Sequence, residues 1–85
     1  MTIQELETPA VHIDARVDAR GLSCPMPIVR AAMAVRAMLP GAHIEVLATD
    51  PGSTRDFAAW SRSTGNELVE QSTDGATFRF VIRRK

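Results

Sequence analysis

Apolar and polar residues alternate along residues 11–19, whose sequence is VHIDARVDA. A period of two predicts a β-strand that buries one face. Residues 43–48, HIEVLA, also carry neighbouring apolar side chains, which favours a second strand in a central, largely buried position. Two more strands are predicted for residues 67–72, ELVEQS, and 76–83, ATFRFVIR. The Asp-Gly pair at 74–75 is typical of a β-hairpin turn between them.

Two segments between these strands show a helical period instead. Over residues 25–39 the apolar positions lie three or four apart, which predicts a helix that ends at the Pro-Gly pair after it. The apolar stripe of this helix consists of Ile28, Ala32, Val35 and Leu39. We expect Met33 and Met38 to fill gaps in the core, and Arg30 and Arg36 to face water.

The second helical segment, STRDFAAWSRST, begins at Ser53. Its apolar side includes Phe57 and Trp60, which are expected in the core. Ser53 lies three residues before Asp56, which is the spacing of a capping box at a helix start. Gly65 lies where the C-cap of this helix needs a residue with positive φ.

The element order β-α-β-α-β-β predicts an α+β fold of two layers. We expect a two-layer α/β sandwich, in which a four-stranded mixed sheet carries both helices on one face. The chain has 85 residues, which is room for one domain. Residues 1–10 have no clean period and are expected to be a flexible N-terminal arm, with the folded domain over residues 11–85.

Composition narrows the range of functions. The 10 basic and 10 acidic residues give a formal net charge of zero, which argues against nucleic acid as a direct partner. The basic tail RFVIRRK is typical of a solvated chain end. No apolar run is long enough to span a bilayer, and no charged-then-apolar leader opens the chain. A single cysteine cannot form an internal disulfide, so we expect a monomeric protein of the reducing cytoplasm with no membrane contact.

That cysteine, Cys24, lies in the stretch GLSCPMPIVRAA, at the start of the first predicted helix. A residue before proline is pushed toward extended geometry, so Cys24 is expected at the N-cap. Pro25 and Pro27 then occupy the first and third helical positions, where no intrahelical N–H is needed. The prolines fix the direction of the cysteine side chain, and the N–H of Met26 remains free to point at the sulfur.

The position of Cys24 also predicts its reactivity. The N-terminus of a helix carries a partial positive charge, which stabilises a thiolate. We therefore expect the pKa of Cys24 to lie below its usual value of about 8.5. Arg20 and Arg30 would lower this pKa further if they turned toward the sulfur. A rigid, exposed thiolate is a nucleophile or a carrier.

One thiol restricts the chemistry. A dithiol oxidoreductase needs a resolving cysteine, which this chain lacks. A Cys-His hydrolase needs a base, but His12 and His43 have no evident link to Cys24. One cysteine and two scattered histidines have no usable metal-ligand spacing, so no metal site and no bound cofactor are expected. A single thiolate can instead attack the outer sulfur of a donor persulfide and hold that sulfur itself.

The sequence resembles the TusA-like (SirA-like) sulfur-carrier family over about residues 15 to 85. Four ordered blocks carry the resemblance: an Asp-x-x-Gly-Leu-x-Cys-Pro-x-Pro opening at 18–27, a Pro-Gly at 40–41, an Asp-Pro turn at 50–51 followed by Asp56, and a Gly-(His or Asn)-x-Leu step at 65–68. Two positions depart from the family. Ser61 stands where some relatives carry a second cysteine, and Thr49 stands where an acid often precedes Asp-Pro.

The resemblance implies a sulfurtransferase that carries a persulfide on Cys24. It implies a cysteine desulfurase as the sulfur donor and a downstream relay protein as the acceptor. In the family the sulfur ends in 2-thiouridine at a tRNA wobble position, and relatives serve sulfur oxidation, molybdenum-cofactor and selenium pathways.

The residues around the thiol divide into two groups. Supports that shape the site are expected at Gly21, Pro25, Met26 and Pro27. Partner contacts are expected at Arg30, Asp50, Arg55 and Asp56, although solvated, turn or cap roles stay open for them. Two functions of other classes also stay open: a redox-sensing or regulatory single-thiol adaptor, and an RNA-binding module. Zero net charge and only four aromatic residues disfavour the second.

Overall fold

The computed structural model describes residues 11–85. Its elements are β1 (Ala15–Ala19), α1 (Met26–Arg36), β2 (His43–Ala48), α2 (Ser53–Thr64), β3 (Glu67–Asp74) and β4 (Thr77–Arg83). The predicted order β-α-β-α-β-β is confirmed, and so is the two-layer fold with a four-stranded mixed sheet. The predicted arm, residues 1–10, lies outside the described residues.

The sheet has the strand order β1-β2-β4-β3. β1 and β2 are parallel, whereas β4 runs antiparallel to both of its neighbours. Because β1 and β2 are parallel, they end at the same edge of the sheet, and the helix that follows each of them begins there. In open α/β sheets, sites form outside the carboxyl ends of parallel strands. Cys24 lies at this end, between β1 and α1.

The core lies between one face of the sheet and the two helices. Phe80 of β4 and Phe57 of α2 are fully buried and stacked, with ring centroids 4.4 Å apart and an angle of 25° between planes. Trp60 is half-buried and packs edge-on against Phe57 at 6.1 Å, so its predicted core position is confirmed. From α1, the core receives Ala31 and Val35. Both helices therefore cover the same face.

The buried stripe of α1 differs from the predicted one. Its buried residues are Pro27, Ala31 and Val35. The prediction was wrong for Leu39, which lies beyond the helix end at Arg36 and is 79% exposed. The helix ends early because the N–H groups of the next two residues bond back three positions, which tightens and closes the last turn.

The predicted exposure of the α1 region is confirmed for its two arginines but only for one of its two methionines. Met33 was expected in the core, but it is 63% exposed. Met38 is half-buried against the core, as predicted. Arg30 and Arg36 are exposed, which confirms that they face water. The small side chain of Ala31, rather than a larger apolar residue, faces the sheet and allows the helix to approach it closely.

Strand boundaries differ from the predicted ones, whereas the predicted end of α2 is confirmed. β1 begins at Ala15, paired with Ile44, rather than at residue 11. Only one further backbone bond, from the N–H of Asp14 to the carbonyl of His43 at 2.9 Å, extends the pairing within residues 11–85. β3 extends to Asp74, so the hairpin turn consists of residues 75–76. At the end of α2, Gly65 adopts the left-handed conformation with φ of 83°, as predicted for a C-cap.

The capping box predicted at the start of α2 is wrong. Gly52 is the N-cap, and no side chain caps the helix. The hydroxyl of Ser53 is buried and has no hydrogen-bond partner within residues 11–85. Ser53 is the first helical residue instead of the cap, so its hydroxyl is carried into the core.

The outer face of the sheet carries a row of paired charges. Glu45 of β2 accepts hydrogen bonds from Arg16 of β1 at 3.2 Å and from Arg79 of β4 at 2.7 Å, and Arg79 also donates to Glu70 of β3 at 3.0 Å. The bond from Arg79, with both arginine charges, lowers the pKa of Glu45. These long side chains cover Val81, which is fully buried although it faces away from the helices.

Candidate functional site around Cys24

Cys24 is exposed and lies in a short turn before α1. The N–H of Met26 donates to the carbonyl of Ser23 at 2.9 Å, which closes this turn. The peptide bond between Cys24 and Pro25 is cis. Pro25, not Cys24, is the N-cap of α1, and Pro27 falls within the first turn. Cys24 is thus one residue further from the helix than predicted, and the Met26 N–H does not point at the sulfur.

A hydrogen bond ties the Cys24 loop to the next loop. Gly21 has a φ of 82°, which a residue with a side chain rarely adopts, and its N–H donates to the hydroxyl of Thr49 at 2.9 Å. The loop after β1 is therefore anchored to the loop after β2. The role of Thr49 was missed by sequence reasoning, which noted only that it stands where an acid is often found in the family.

Arg20 would lower the pKa of Cys24 if it turned toward the sulfur, but its guanidinium pairs with Asp18 instead. Arg20 forms two hydrogen bonds with the carboxylate of Asp18, at 2.8 and 2.9 Å. These bonds, together with one from the Arg20 backbone, lower the pKa of Asp18 to about 2. The guanidinium of Arg20 therefore braces the turn instead of stabilising a thiolate.

Two carboxylates approach the thiol from the second loop and helix. Asp50 accepts a hydrogen bond from the N–H of Gly52 at 3.0 Å, which fixes its side chain. A Cβ placed on Gly52 would lie 3.1 Å from Oδ2 of Asp50 and 3.7 Å from Oδ2 of Asp56. The two acids thus flank Gly52 on the side of the site. The absence of a side chain at Gly52 leaves room for both.

These carboxylates decide the pKa of Cys24. It is raised, and the largest cause is hydrogen bonding between the thiol and the Asp56 carboxylate. Desolvation and the negative charges of Asp56 and Asp50 act in the same direction, and only Arg55 opposes them. The prediction of a lowered pKa was therefore wrong. The sulfur is exposed, but in the isolated protein its protonated form is favoured.

The predicted site residues fall into two groups. Asp50, Arg55 and Asp56 all influence the pKa of the Cys24 thiol, and Asp56 does so through hydrogen bonding. Arg30 lies on the exposed face of α1 and is not among the groups that shift the thiol pKa. Its neighbours on that face form an apolar stripe at positions i, i+3 and i+7, with exposed fractions of 40%, 38% and 63%: Met26, Val29 and Met33. Exposed apolar side chains in a row are typical of a contact surface.

Asp56→Asn is expected to lower the pKa of Cys24. The amide keeps the shape of the side chain but removes the charge that favours the protonated thiol. Alkylation of Cys24 by iodoacetamide, followed against pH, should therefore become faster at neutral pH. The matched control is Asp74→Asn, which removes an exposed acid at the far end of β3 that is not among the groups shifting the pKa of the thiol. Equal alkylation profiles for wild type and Asp56→Asn would contradict the assignment.

Metal-binding clusters and membrane-spanning helices are absent from residues 11–85. Within residues 11–85, no group of three or more histidine, cysteine, aspartate or glutamate side chains is arranged to hold a metal ion. No helix in residues 11–85 is both long and apolar enough to cross a bilayer. His12 pairs with Asp14 at 3.4 Å, far along the chain from the Cys24 turn.

Comparison with known proteins decides the family. The model of the family described as "Sulfurtransferase TusA" matches residues 15–84, which is most of the chain. The chain belongs to the TusA family. The cysteine turn, both helices and all four strands lie within the matched residues. The sequence-based assignment to TusA-like (SirA-like) proteins is confirmed.

Individual TusA relatives align with this chain over nearly their full length. The chain is 48% identical over 71 residues to the sulfur carrier protein TusA of Allochromatium vinosum, covering 84% of this chain and 93% of that one. It is 45% identical over 71 residues to the putative sulfur carrier protein YrkI of Bacillus subtilis, covering 84% and 95%. A solved structure, the SirA-like protein from Desulfitobacterium hafniense, has a TM-score of 0.71 at 24% identity, over 81% of this chain and 95% of that one. That likeness confirms the fold.

Proposed function

We propose that this protein is a sulfur carrier that holds sulfane sulfur as a persulfide on Cys24. The observation that carries the proposal is an exposed, sole cysteine on a braced turn, at the carboxyl ends of two parallel strands. Membership of the TusA family and the name of the relative in Allochromatium vinosum support the same role. Pro25, Pro27, Gly21 and Met26 would hold the turn in place.

The transfer step needs one thiolate in the carrier. The Cys24 thiolate attacks the outer sulfur of a donor persulfide, R–S–SH. A new S–S bond forms on Cys24, the S–S bond of the donor breaks, and the donor leaves as a thiolate. The proton on the outer sulfur travels with it, so Cys24 becomes Cys24–S–SH. The acceptor repeats the step, and no second cysteine is required in the carrier.

The raised pKa of Cys24 makes the partner part of this reaction. Asp50 and Asp56 favour the protonated thiol in the free protein, which protects it from stray reagents. A lysine or arginine of a docked partner would pair with these acids and remove the repulsion toward the thiolate. The contact residues we propose are Asp50, Arg55 and Asp56 in one group, and Arg30 with the apolar stripe of α1 in the other.

The pathway follows from the family resemblance. We propose a cysteine desulfurase as donor, a relay protein as acceptor, and 2-thiouridine formation in tRNA as the destination. The protein would act in the cytoplasm as a monomer and would touch neither tRNA nor membrane. No bound cofactor is required, because the sulfur itself is the cargo.

Intact mass after incubation with a cysteine desulfurase and L-cysteine tests the proposal. The reduced protein should gain the mass of one sulfur atom, and a thiol reductant should reverse the gain. Inorganic polysulfide supplies a second donor that needs no docking. A protein that gains no sulfur from either donor, but forms glutathione adducts under peroxide, would be a redox-sensing thiol instead.

A further inference from the structure

A groove lies at the end of the molecule opposite Cys24. It has a volume of about 430 Å³ and lies between the C-terminal parts of α1 and α2 and the end of β4. Its walls are formed by Ala32, Val35, Arg36, Trp60, Thr64, Asn66, Arg84 and Lys85. Pockets for small ligands have volumes of about 300–1,000 Å³. The groove therefore has the size of a ligand site, and the sulfur chemistry does not use it.

Three cations converge on this groove without a counter-ion. Arg36, Arg84 and Lys85 form no ion pair with any carboxylate of residues 11–85. Outside the groove, Arg16, Arg20, Arg79 and Arg83 are paired with carboxylates. The other arginines without an ion pair in residues 11–85, Arg30, Arg55 and Arg62, are exposed. Arg84 is also half-buried. A half-buried arginine with no carboxylate beside it suits an anion site.

The backbone that carries these cations is fixed. Arg84 donates its N–H to the carbonyl of Ala42 at 2.8 Å and accepts from Gly41 at 2.9 Å, so it continues the sheet beyond β4. The N–H of Lys85 donates to Oδ1 of Asn66 at 2.9 Å. Arg36 belongs to the last turn of α1. Sites built on helices and strands hold their groups more precisely than sites on loops.

We propose that this groove binds a small anion that carries two linked phosphate groups. Three cations suit a ligand with several negative charges, and arginine forks match phosphate oxygens in pairs. Val35, Ala32 and Trp60 form the apolar wall of the groove. The hydroxyl of Thr64 donates to the carbonyl of Trp60 at 2.8 Å and accepts from Asn66, so it holds the wall together.

The C-termini of two helices oppose an anion here, but they do not outweigh the cations. Each helix end carries a negative partial charge of roughly half an elementary charge. The C-cap of α2 is covered by Lys85, whose Nζ lies 3.4 Å from the position of a Cβ on Gly65. Three full positive charges still exceed the two partial negative charges and the one backbone carboxylate of Lys85, which leaves a small positive excess in the groove.

The sole tryptophan makes the proposal measurable. Trp60 lines the groove, so its fluorescence reports binding directly. Titration of the reduced full chain with inorganic pyrophosphate should give a saturable change, weaker at higher salt. Arg84→Gln should raise the dissociation constant about tenfold or more, since hydrogen bonds to charged groups contribute about 1.5–3 kcal/mol and 1.4 kcal/mol is tenfold. The matched control, Arg62→Gln, removes an exposed arginine of α2 that does not line the groove and should leave binding unchanged.

Several outcomes would overturn the proposal. These are the absence of a saturable change with pyrophosphate, an equal loss in the Arg62 variant, or equal binding of sulfate at matched ionic strength. A short single-stranded RNA that bound more tightly than pyrophosphate would overturn the assignment to a small ligand. If Arg84→Gln did not fold by circular dichroism, Arg36→Gln at an exposed helix position would give the same test. Cys24→Ser should bind pyrophosphate normally, so this result is independent of the sulfur-carrier function.

Discussion

Cys24→Ser is expected to abolish sulfur loading completely while leaving the fold unchanged. The side chain is exposed, so replacing sulfur with oxygen removes no core contact. A serine hydroxyl has no thiolate and cannot hold a sulfane sulfur. Cys24 is the sole cysteine, so no other thiol can replace it. Intact mass with a desulfurase should therefore show no gain, while the thermal unfolding midpoint stays close to that of wild type.

Moving the thiol by one residue tests whether loading by the desulfurase depends on the position of the cysteine or only on the presence of a thiolate. In Cys24→Ser combined with Ser23→Cys, the chain again has one exposed thiol, one residue away from the acids and from α1. Inorganic polysulfide should load this variant, because it needs only a thiolate. The desulfurase should load it at least about tenfold more slowly, because displacing a reacting group by about 1 Å can lower the reaction rate about a hundredfold. Equal rates with the desulfurase would show that the Cys24 turn does not orient the sulfur for a partner.

Phe80→Ala is expected to have the largest effect on stability. Phe80 is fully buried and stacked on Phe57, which joins the sheet to α2. Truncating a buried phenylalanine typically costs about 3–5 kcal/mol, because apolar contact is lost and a cavity remains. Small domains have free energies of unfolding of only about 5–15 kcal/mol. Urea unfolding should therefore show a much lower midpoint with a similar slope.

Phe78→Ala is the control for that experiment. Phe78 lies on the same strand and the same face of the sheet, but it is only half-buried. Its truncation leaves a site that water can enter, so the loss of stability should be clearly smaller. A loss as large as that of Phe80→Ala would mean that the stacked pair with Phe57 is not the centre of the core.

Local patterns predicted the elements of this fold better than their faces. Alternation was enough to find β1, but its start at Ala15 depends on its pairing with β2, which the local sequence does not contain. The helical period was enough to find α1, whereas its buried side turns on Ala31, a residue too small to stand out. Ser53 and Asp56 had the spacing of a cap, but the chain enters α2 one residue earlier, at Gly52.

At the site, the sequence predicted the position of the thiol better than its electrostatic surroundings. The motif around Cys24 predicted an exposed thiol on a rigid turn, which the structure has. The sign of its pKa shift was not predictable from neighbours in sequence, because Asp50 and Asp56 reach the sulfur from a different loop and helix. The partner of the Met26 N–H is set by the turn, not by the proline pattern. The cationic groove combines a residue of α1 with the end of β4, so only the tertiary structure brings it together.

The edges of the sheet bear on how this small protein behaves in concentrated solution. β3 is exposed over most of its length, ends in polar residues and carries an irregular register between Leu68 and Glu70. The opposite edge, β1, is only five residues long and places Arg16 and Asp18 at its exposed positions. Short, charged or bulged edges resist pairing with strands of other molecules. Within residues 11–85, neither edge is a long, flat, uncharged strand, so self-aggregation through the sheet is disfavoured.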